Sequence, residues 1–292
     1  MAIDYEKLLR LKIPDAQHSY LPKDAILYAL SLGVGADPLD EGQLRFCYEQ
    51  DLRVLPTLGV VLAHPGFWPK TLDTGLDWVR IVHAEQGLVL HKPLPPQAEV
   101  VGHSRVVEIV DKGREKGAFI AVERRVLDRA TSAPLCTITQ TMFCRGDGGF
   151  GGSQRALPPP HQVPERAPDA ICDIPTLPQT ALLYRLNGDW NPLHADPAVA
   201  RKAGFEKPIL HGLATYGIAA YAIIKTLCAN DGARVASIFG RFTAAAYPGE
   251  TLRTEMWVDG LIVSYRVRSL ERDVVAINNG RVELWQTDES SS

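Results

Sequence analysis

Gly212-Leu-Ala-Thr-Tyr-Gly-Ile-Ala-Ala-Tyr-Ala-Ile-Ile-Lys-Thr-Leu-Cys228 reads as one long apolar helix in which Gly212, Ala214, Gly217, Ala219, Ala220 and Ala222 are small. Small side chains let a helix lie close against a covering sheet. The sequence then turns β-rich over 235–243, 252–258, 261–268 and 274–284, and Asp259-Gly260 between two of these runs is a strong two-residue hairpin signal. Upstream, 176–186 predicts a short helix with Leu182, Leu183 and Leu186 on one side, stopped by Gly188. Asp196-Pro197 supplies an N-cap and a first-turn proline for a brief helix ending at Gly204. A helix wrapped by antiparallel strands makes the class α+β.

The same order occurs once before. Tyr28-Ala-Leu-Ser-Leu-Gly and Asp37-Pro-Leu-Asp40 parallel Tyr184-Arg-Leu-Asn-Gly and Asn191-Pro-Leu-His194. Pro56-Thr-Leu-Gly59 parallels Pro208-Ile-Leu-His-Gly212, and Pro96-Gln-Ala-Glu-Val100 parallels Pro248-Gly-Glu-Thr-Leu252. The offset of roughly 150 residues is that of a whole domain, so the pattern predicts a duplicated unit made twice. Between the copies runs GDGGFGGSQRALPPPHQVPERAPD, a Gly/Pro-rich linker or exposed crossing over 146–169. The expected organisation is a first half over 1–145, the linker, and a second half over 170–292. Each half is then a sheet of about five strands around a helix, and two such units in tandem make a double hot-dog. In the first copy the equivalent helix would begin after Gly59, but His64-Pro65-Gly66 and Pro69 cut it short.

Composition narrows the function. With 46% hydrophobic and 22% charged residues the chain is of ordinary globular type, and a net charge of −3 offers no broad cationic field for nucleic acid. Cys47, Cys136, Cys144, Cys172 and Cys228 are odd in number and form no CxxC pair, which predicts free thiols in a reducing compartment. The first dozen residues lack a signal-peptide core, the last ones form a Ser run rather than a peroxisomal tripeptide, and 209–227 is interrupted by His211 and Lys225. The expectation is a cytoplasmic enzyme with no membrane partner.

The densest polar cluster is Arg185-Leu-Asn-Gly-Asp189-Trp-Asn191-Pro-Leu-His194-Ala-Asp196-Pro, followed by Gly204-Phe-Glu-Lys-Pro-Ile-Leu-His211-Gly212. Here the sequence resembles the hydratase 2 motif of MaoC-like dehydratases, of (R)-specific enoyl-CoA hydratases and of peroxisomal multifunctional enzymes. The similarity continues through Arg241-Phe242, Tyr247-Pro-Gly249 and Trp257, and in the first half through His83-Ala-Glu-Gln86 and Lys92-Pro-Leu-Pro95. The resemblance implies a lyase of fatty acid metabolism that adds water reversibly and syn to a (2E)-enoyl-CoA, giving a (3R)-3-hydroxyacyl-CoA. It implies a catalytic set of Asp189 and His194 as the acid/base pair, Asn191 orienting the water and Gly212 as oxyanion donor. It also implies no cofactor, acyl-CoA as the partner, and a homodimer.

The residues support that chemistry independently. Hydration needs a proton taken from water, one delivered to C2, and a fixed donor for the thioester oxygen. A carboxylate and an imidazole five residues apart can converge if Gly188 and Pro192 turn the backbone, and the Gly212 amide opens a helix whose dipole is positive there. Standing alone, Asp189 and His194 would more often be a turn carboxylate and a loop imidazole. Asp196 reads as an N-cap. A metal held by Asp189, His194, Asp196 and His211 is conceivable from ligand types, but the spacing matches no recurrent motif, so no metal is expected.

For substrate binding the candidates are Arg185 and His211 near the motif, the basic turn Lys112, Arg114 and Lys116 for the coenzyme A phosphates, and Phe67 for the acyl chain; Arg201-Lys202 is a second basic edge. Aligning Pro38-Leu-Asp40 with Pro192-Leu-His194 sets Gly35, Asp37 and Asp40 opposite Asp189, Asn191 and His194, so the first half lacks the acid/base pair. Its missing helix leaves room, with Leu55, Leu58, Val60, Val61, Leu62 and Phe67 as lining, for a medium- to long-chain acyl group. Two readings compete with hydration: a hot-dog thioesterase, and a non-catalytic acyl-CoA-binding module.

Overall fold

The structure, a computed structural model, describes residues 3–153 and 159–286; the middle of the 146–169 segment and the terminal Ser run lie outside the described residues. Helix α1 (Tyr5–Leu9) is followed by β1 (Ala16–Tyr20), α2 (Pro22–Leu30), α3 (Glu41–Leu44), a 3-10 turn at Pro56–Val60 and α4 (Trp68–Thr71). Strands β2 (Ile81–Leu90), β3 (Ala98–Asp111), β4 (Ala118–Asp128) and β5 (Pro134–Cys144) complete the first half. The second half repeats the order: β6 (Ala170–Pro175), α5 (Thr180–Tyr184), α6 (Pro197–Lys202), α7 (Gly212–Leu227), then β7 (Val235–Phe242), β8 (Thr251–Asp259), β9 (Ile262–Ser269) and β10 (Val274–Leu284).

All ten strands form one antiparallel sheet ordered β1-β3-β4-β5-β2-β7-β10-β9-β8-β6. Read outward from its centre, the order is the same on both sides: second, fifth, fourth, third and first strand of each copy. The halves join where β2 pairs with β7, from Glu85 opposite Arg241 to Val89 opposite Ser237. This is the double hot-dog in the α+β class.

Helix α7 is the central pillar, buried from Ala214 to Ile224. Its small residues permit close approach to the other half: a Cβ on Gly217 would come within 2.8 Å of Leu32 and 3.0 Å of the Tyr28 hydroxyl. Tyr28 and Tyr184, which the repeat aligns, touch at a centroid distance of 6.0 Å, so the copies meet along corresponding residues. One core runs through both halves, from Tyr20 and Val100 to Val282, and a smaller one under α1 gathers Ile3, Leu8, Trp68, Ile109 and Ile120.

Where the first copy should have its long helix, the chain makes only the 3-10 turn, a left-handed Gly66 (φ +75) after Pro65, and the four-residue α4. Proline lacks the amide a helix interior needs, so the helix cannot propagate. The flanks of the Gly/Pro-rich segment are tied down rather than free. The Asp111 carboxylate accepts the amides of Gly149 and Gly151 at 2.7 and 3.0 Å, and His161 bonds Ser264 at 2.8 Å.

Candidate active site

The loop between α5 and α7 is shaped by its own sequence. Gly188 adopts φ +110, a conformation open to glycine, and turns the chain out of a 3-10 turn at Arg185–Asn187. Asp189 Oδ1 then accepts the amide of Asn191 at 3.2 Å, and Asn191 Oδ1 caps the 3-10 turn Pro192–His194 by accepting the Leu193 amide at 3.1 Å. Asp196 accepts the amides of Ala198 and Val199, the N-cap its position before Pro197 suggests. These local bonds direct His194 inward, where it is 8% exposed.

His194 Nδ1 sits 2.9 Å from the carbonyl of Ile209. A carbonyl only accepts, so the proton lies on Nδ1 and Nε2 carries the lone pair. His211, the N-cap of α7 and 1% exposed, stacks on His194 with centroids 3.7 Å apart and planes 26° from parallel; Tyr184 backs it at 5.0 Å. His211 Nε2 lies 3.3 Å from the carbonyl of Asp189, and its Nδ1 has no partner among the described residues. Burial pushes the His194 pKa below its ordinary value, and burial with the adjacent His194 pushes His211 down to about 4. Both rings are therefore neutral near pH 7.

Donor atoms of Asp189, His194 and His211 all lie within 4.8 Å of one another. A metal would lie in the plane of each imidazole about 2.0–2.1 Å from nitrogen, whereas stacked rings point their in-plane lone pairs side by side. The trio suits proton transfer better than coordination. Gly212 is the first residue of α7, so its amide is among the first-turn donors that no helix carbonyl reaches. Phe242 packs beside it, 3.2 Å from where a Cβ would stand, and His83 meets Phe242 edge-on at 4.9 Å. Arg241 pairs with Glu85 across the β2–β7 seam, so His83–Gln86 and Arg241–Phe242, distant in sequence, form one wall.

The structure thus gathers Asp189, Asn191, His194, His211 and Gly212 around one loop and one helix start. Arg185 stands beside them, its guanidinium 4.7 Å over the Trp190 ring. Lys112, Arg114 and Lys116 are exposed in the β3–β4 turn, and among the described residues no hydrogen bond, ion pair or ring contact links that turn to the cluster. Phe67 is 48% exposed and packs edge-on against Trp78; it caps α4, which hands the inward position to its neighbour Trp68.

A narrow recess, partly open to solvent, lies where the first copy lost its helix. Of the apolar residues expected to line it only Val60 does so; Leu55, Leu58 and Leu62 are consumed by the core. Pro65, Trp68, Val122, Ile138 and Leu213 complete the apolar wall, and the rest is polar: His83, Gln86, Ser104, Arg124 and Gln140, with His64. Sequence reasoning gave these six no role in the site. A signal existed in β4, where Val122, Arg124 and Val126 share the inward face at period two.

The MaoC like domain family matches residues 160–280, and the MFE-2 hydratase 2 N-terminal domain family matches 18–146. The chain is 39% identical over 287 residues to the peroxisomal enoyl-CoA hydratase 2 of Arabidopsis thaliana, covering 91% of each. It is 38% identical to the enoyl-CoA hydratase ChsH3 of Mycobacterium tuberculosis, covering 97% of this chain and 99% of that one. The crystal structure of a MaoC-like dehydratase from Phytophthora capsici superposes with a TM-score of 0.86 at 31% identity, over 98% of this chain and all of the other.

Proposed function

The chain belongs to the MaoC-like hydratase 2 family, and from that premise we propose that it is an (R)-specific 2-enoyl-CoA hydratase, a hydro-lyase interconverting (2E)-enoyl-CoA and (3R)-3-hydroxyacyl-CoA. The observation that carries this reading is the neutral, buried His194. Its Nδ1–H is fixed on the Ile209 carbonyl and its Nε2 is free to accept a proton beside Asp189. Water held between the two groups loses a proton as its oxygen bonds to C3. The electron pair of the double bond then passes through C2 to the thioester oxygen, and a proton from the pair returns to C2. The Gly212 amide at the start of α7 opposes the charge that develops on that oxygen. Asn191 spends its Oδ1 on the cap, which leaves its amide NH2 to orient the water. One loop supplies both proton carriers, so water and proton arrive on the same face.

We place the acyl chain in the recess behind Leu213 and Val60, and the coenzyme A on the open side near Arg185. A homodimer is part of the proposal, to be read by light scattering, as is a cytoplasmic location, which the five free cysteines support. No described helix is long and apolar enough to cross a membrane. The test is to follow crotonyl-CoA and decenoyl-CoA for loss of enoyl absorbance, with chiral chromatography of the alcohol. The expected product is (3R). Free thiol without hydroxyacyl product would make the protein a thioesterase instead, and binding without turnover would make it an acyl-CoA-binding module.

A further inference from the structure

We propose that the recess of the first half recognises a hydrogen-bond-accepting oxygen on the acyl chain, so that the preferred thioester carries a carboxylate or carbonyl remote from its reacting carbons. The proposal rests on the acyl-thioester reading above and adds the kind of chain.

Arg124 is 6% exposed, yet among the described residues none of its ion pairs or hydrogen bonds is to a carboxylate: one terminal nitrogen donates to the Val60 carbonyl at 2.6 Å, and its Nε has no partner there. Burial without an acid lowers its pKa to about 10, so the guanidinium remains charged at neutral pH. A buried guanidinium offers five donors and accepts nothing, and leaving it unneutralised is costly. Supporting the Val60 carbonyl would need only one of those donors.

The neighbours point the same way. Ser104, directly across the β3–β4 ladder from Arg124, has a buried hydroxyl with no partner among the described residues. Gln140 faces Val122 on one side and Gln86 on the other, and all of them line the recess. A cavity meant only for methylenes would carry aliphatic residues at Arg124 and Gln140, as the same inward row does at Val122 and Val126.

The recess also lies within reach of the reacting centre. Leu213, one residue past Gly212, forms part of its wall, and the Asp189 carboxylate acts electrostatically on His64 and His83 at its rim. A chain leaving C3 would pass Leu213 along Val60, Trp68 and Ile138, and meet the Arg124–Ser104–Gln140 group with its far end. The polar group would then reward an acceptor and penalise a bare alkyl terminus, which would strand those donors.

Binding of non-reacting saturated analogues tests this without depending on turnover. Isothermal calorimetry on the full chain would compare decanoyl-CoA with its ω-carboxy and 9-oxo counterparts. At least one oxygenated analogue should bind about tenfold or more tighter to the wild type, as expected for a hydrogen bond to a charged group, and the two arms tell carboxylate from carbonyl. In Arg124→Met the preference should fall to within about twofold while decanoyl-CoA binding holds or improves. Decanoyl-CoA binding the wild type as tightly as both analogues, or a preference surviving in Arg124→Met, would overturn the proposal. If Arg124→Met melts early, the double variant Ser104→Ala/Gln140→Leu serves in its place, and the wild-type ranking already decides. Crotonyl-CoA, too short to reach the recess, and decenoyl-CoA are assayed in parallel; failure of both to hydrate would remove the hydratase reading alone.

Discussion

From Gly212 the chain makes sixteen residues of helix, and at the corresponding place around Gly59 it makes a single 3-10 turn, Pro56–Val60. Both stretches are apolar and both follow the same helix and loop, so the difference comes from a few residues, Pro65, Gly66 and Pro69. In the second half the helix start is where the proposed reacting groups gather. His211 caps it, His194 stacks on His211, and the carbonyl of Ile209 just before it fixes the His194 tautomer. In the first half no long helix among the described residues covers that face, and Arg124, Gln140 and Gln86 line a narrow recess there with Val60 and Trp68. One copy kept the pillar and with it the reacting groups; the other gave up the pillar and gained volume.

The largest effect should come from the pair that only the second copy has. Asp189→Asn and His194→Gln are each expected to lower kcat by about two orders of magnitude or more, with thermal melting unchanged within a few degrees. Asp40→Asn, at the position aligned with His194, should leave kcat within about twofold, since Asp40 only caps α3 through Gln43. A large loss there, or more than about a tenth of kcat surviving in His194→Gln, would break the division of labour.

The second comparison concerns the vacated volume. kcat/KM should rise from a four-carbon to an eight- or ten-carbon enoyl-CoA, by at most about 0.8 kcal/mol per buried methylene. The polar lining makes the rise smaller than an aliphatic pocket would give. A flat profile would mean that the recess never receives the chain.

A smaller effect is expected on pH dependence. Burial lowers the pKa of both His194 and His211, to about 4 for the latter, so the unfolded chain binds these protons at higher pH than the folded one. Stability should therefore fall as pH drops from 6.5 towards 4, and the acid limb of kcat/KM should lie below 6.5. Melting curves and initial rates between pH 4 and 8 would show it; a limb above 6.5 would mean that His194 is charged at rest. Smallest of all, dialysis against EDTA should leave the rate unchanged, because the stacked rings do not direct their lone pairs at one point. Loss of activity restored by zinc would turn the trio into ligands.

Much of this was legible in the residues. The Asp189–Asn191–His194 spacing, the cap at Asp196 and the helix from Gly212 are local features set by short-range steric and hydrogen-bonding rules; the β8–β9 hairpin is also there, with its two-residue turn at Gly260-Leu261, one residue on from the Asp259-Gly260 signal because Asp259 pairs with Ile262. The shortened first-half helix was readable from its prolines. The lining of the space it left was not, because that depends on which apolar residues the core takes: Leu55, Leu58 and Leu62 turned inward, and Arg124 reached the recess from a strand sixty residues away. The stacking of His211 on His194 likewise depends on how the loop folds back onto the helix start, which no spacing rule specifies.

The pairing of β2 with β7 has an evolutionary consequence. Two separately encoded copies would assemble at random, and a decayed copy would often meet another decayed copy and yield nothing. Fused in one chain and hydrogen-bonded through a shared seam, an altered copy always lies beside an intact one at fixed stoichiometry. Selection could then let the first copy lose its reactive loop and reshape its interior without ever producing an inactive assembly, so that substrate range and reactivity became separately adjustable traits of a single gene product.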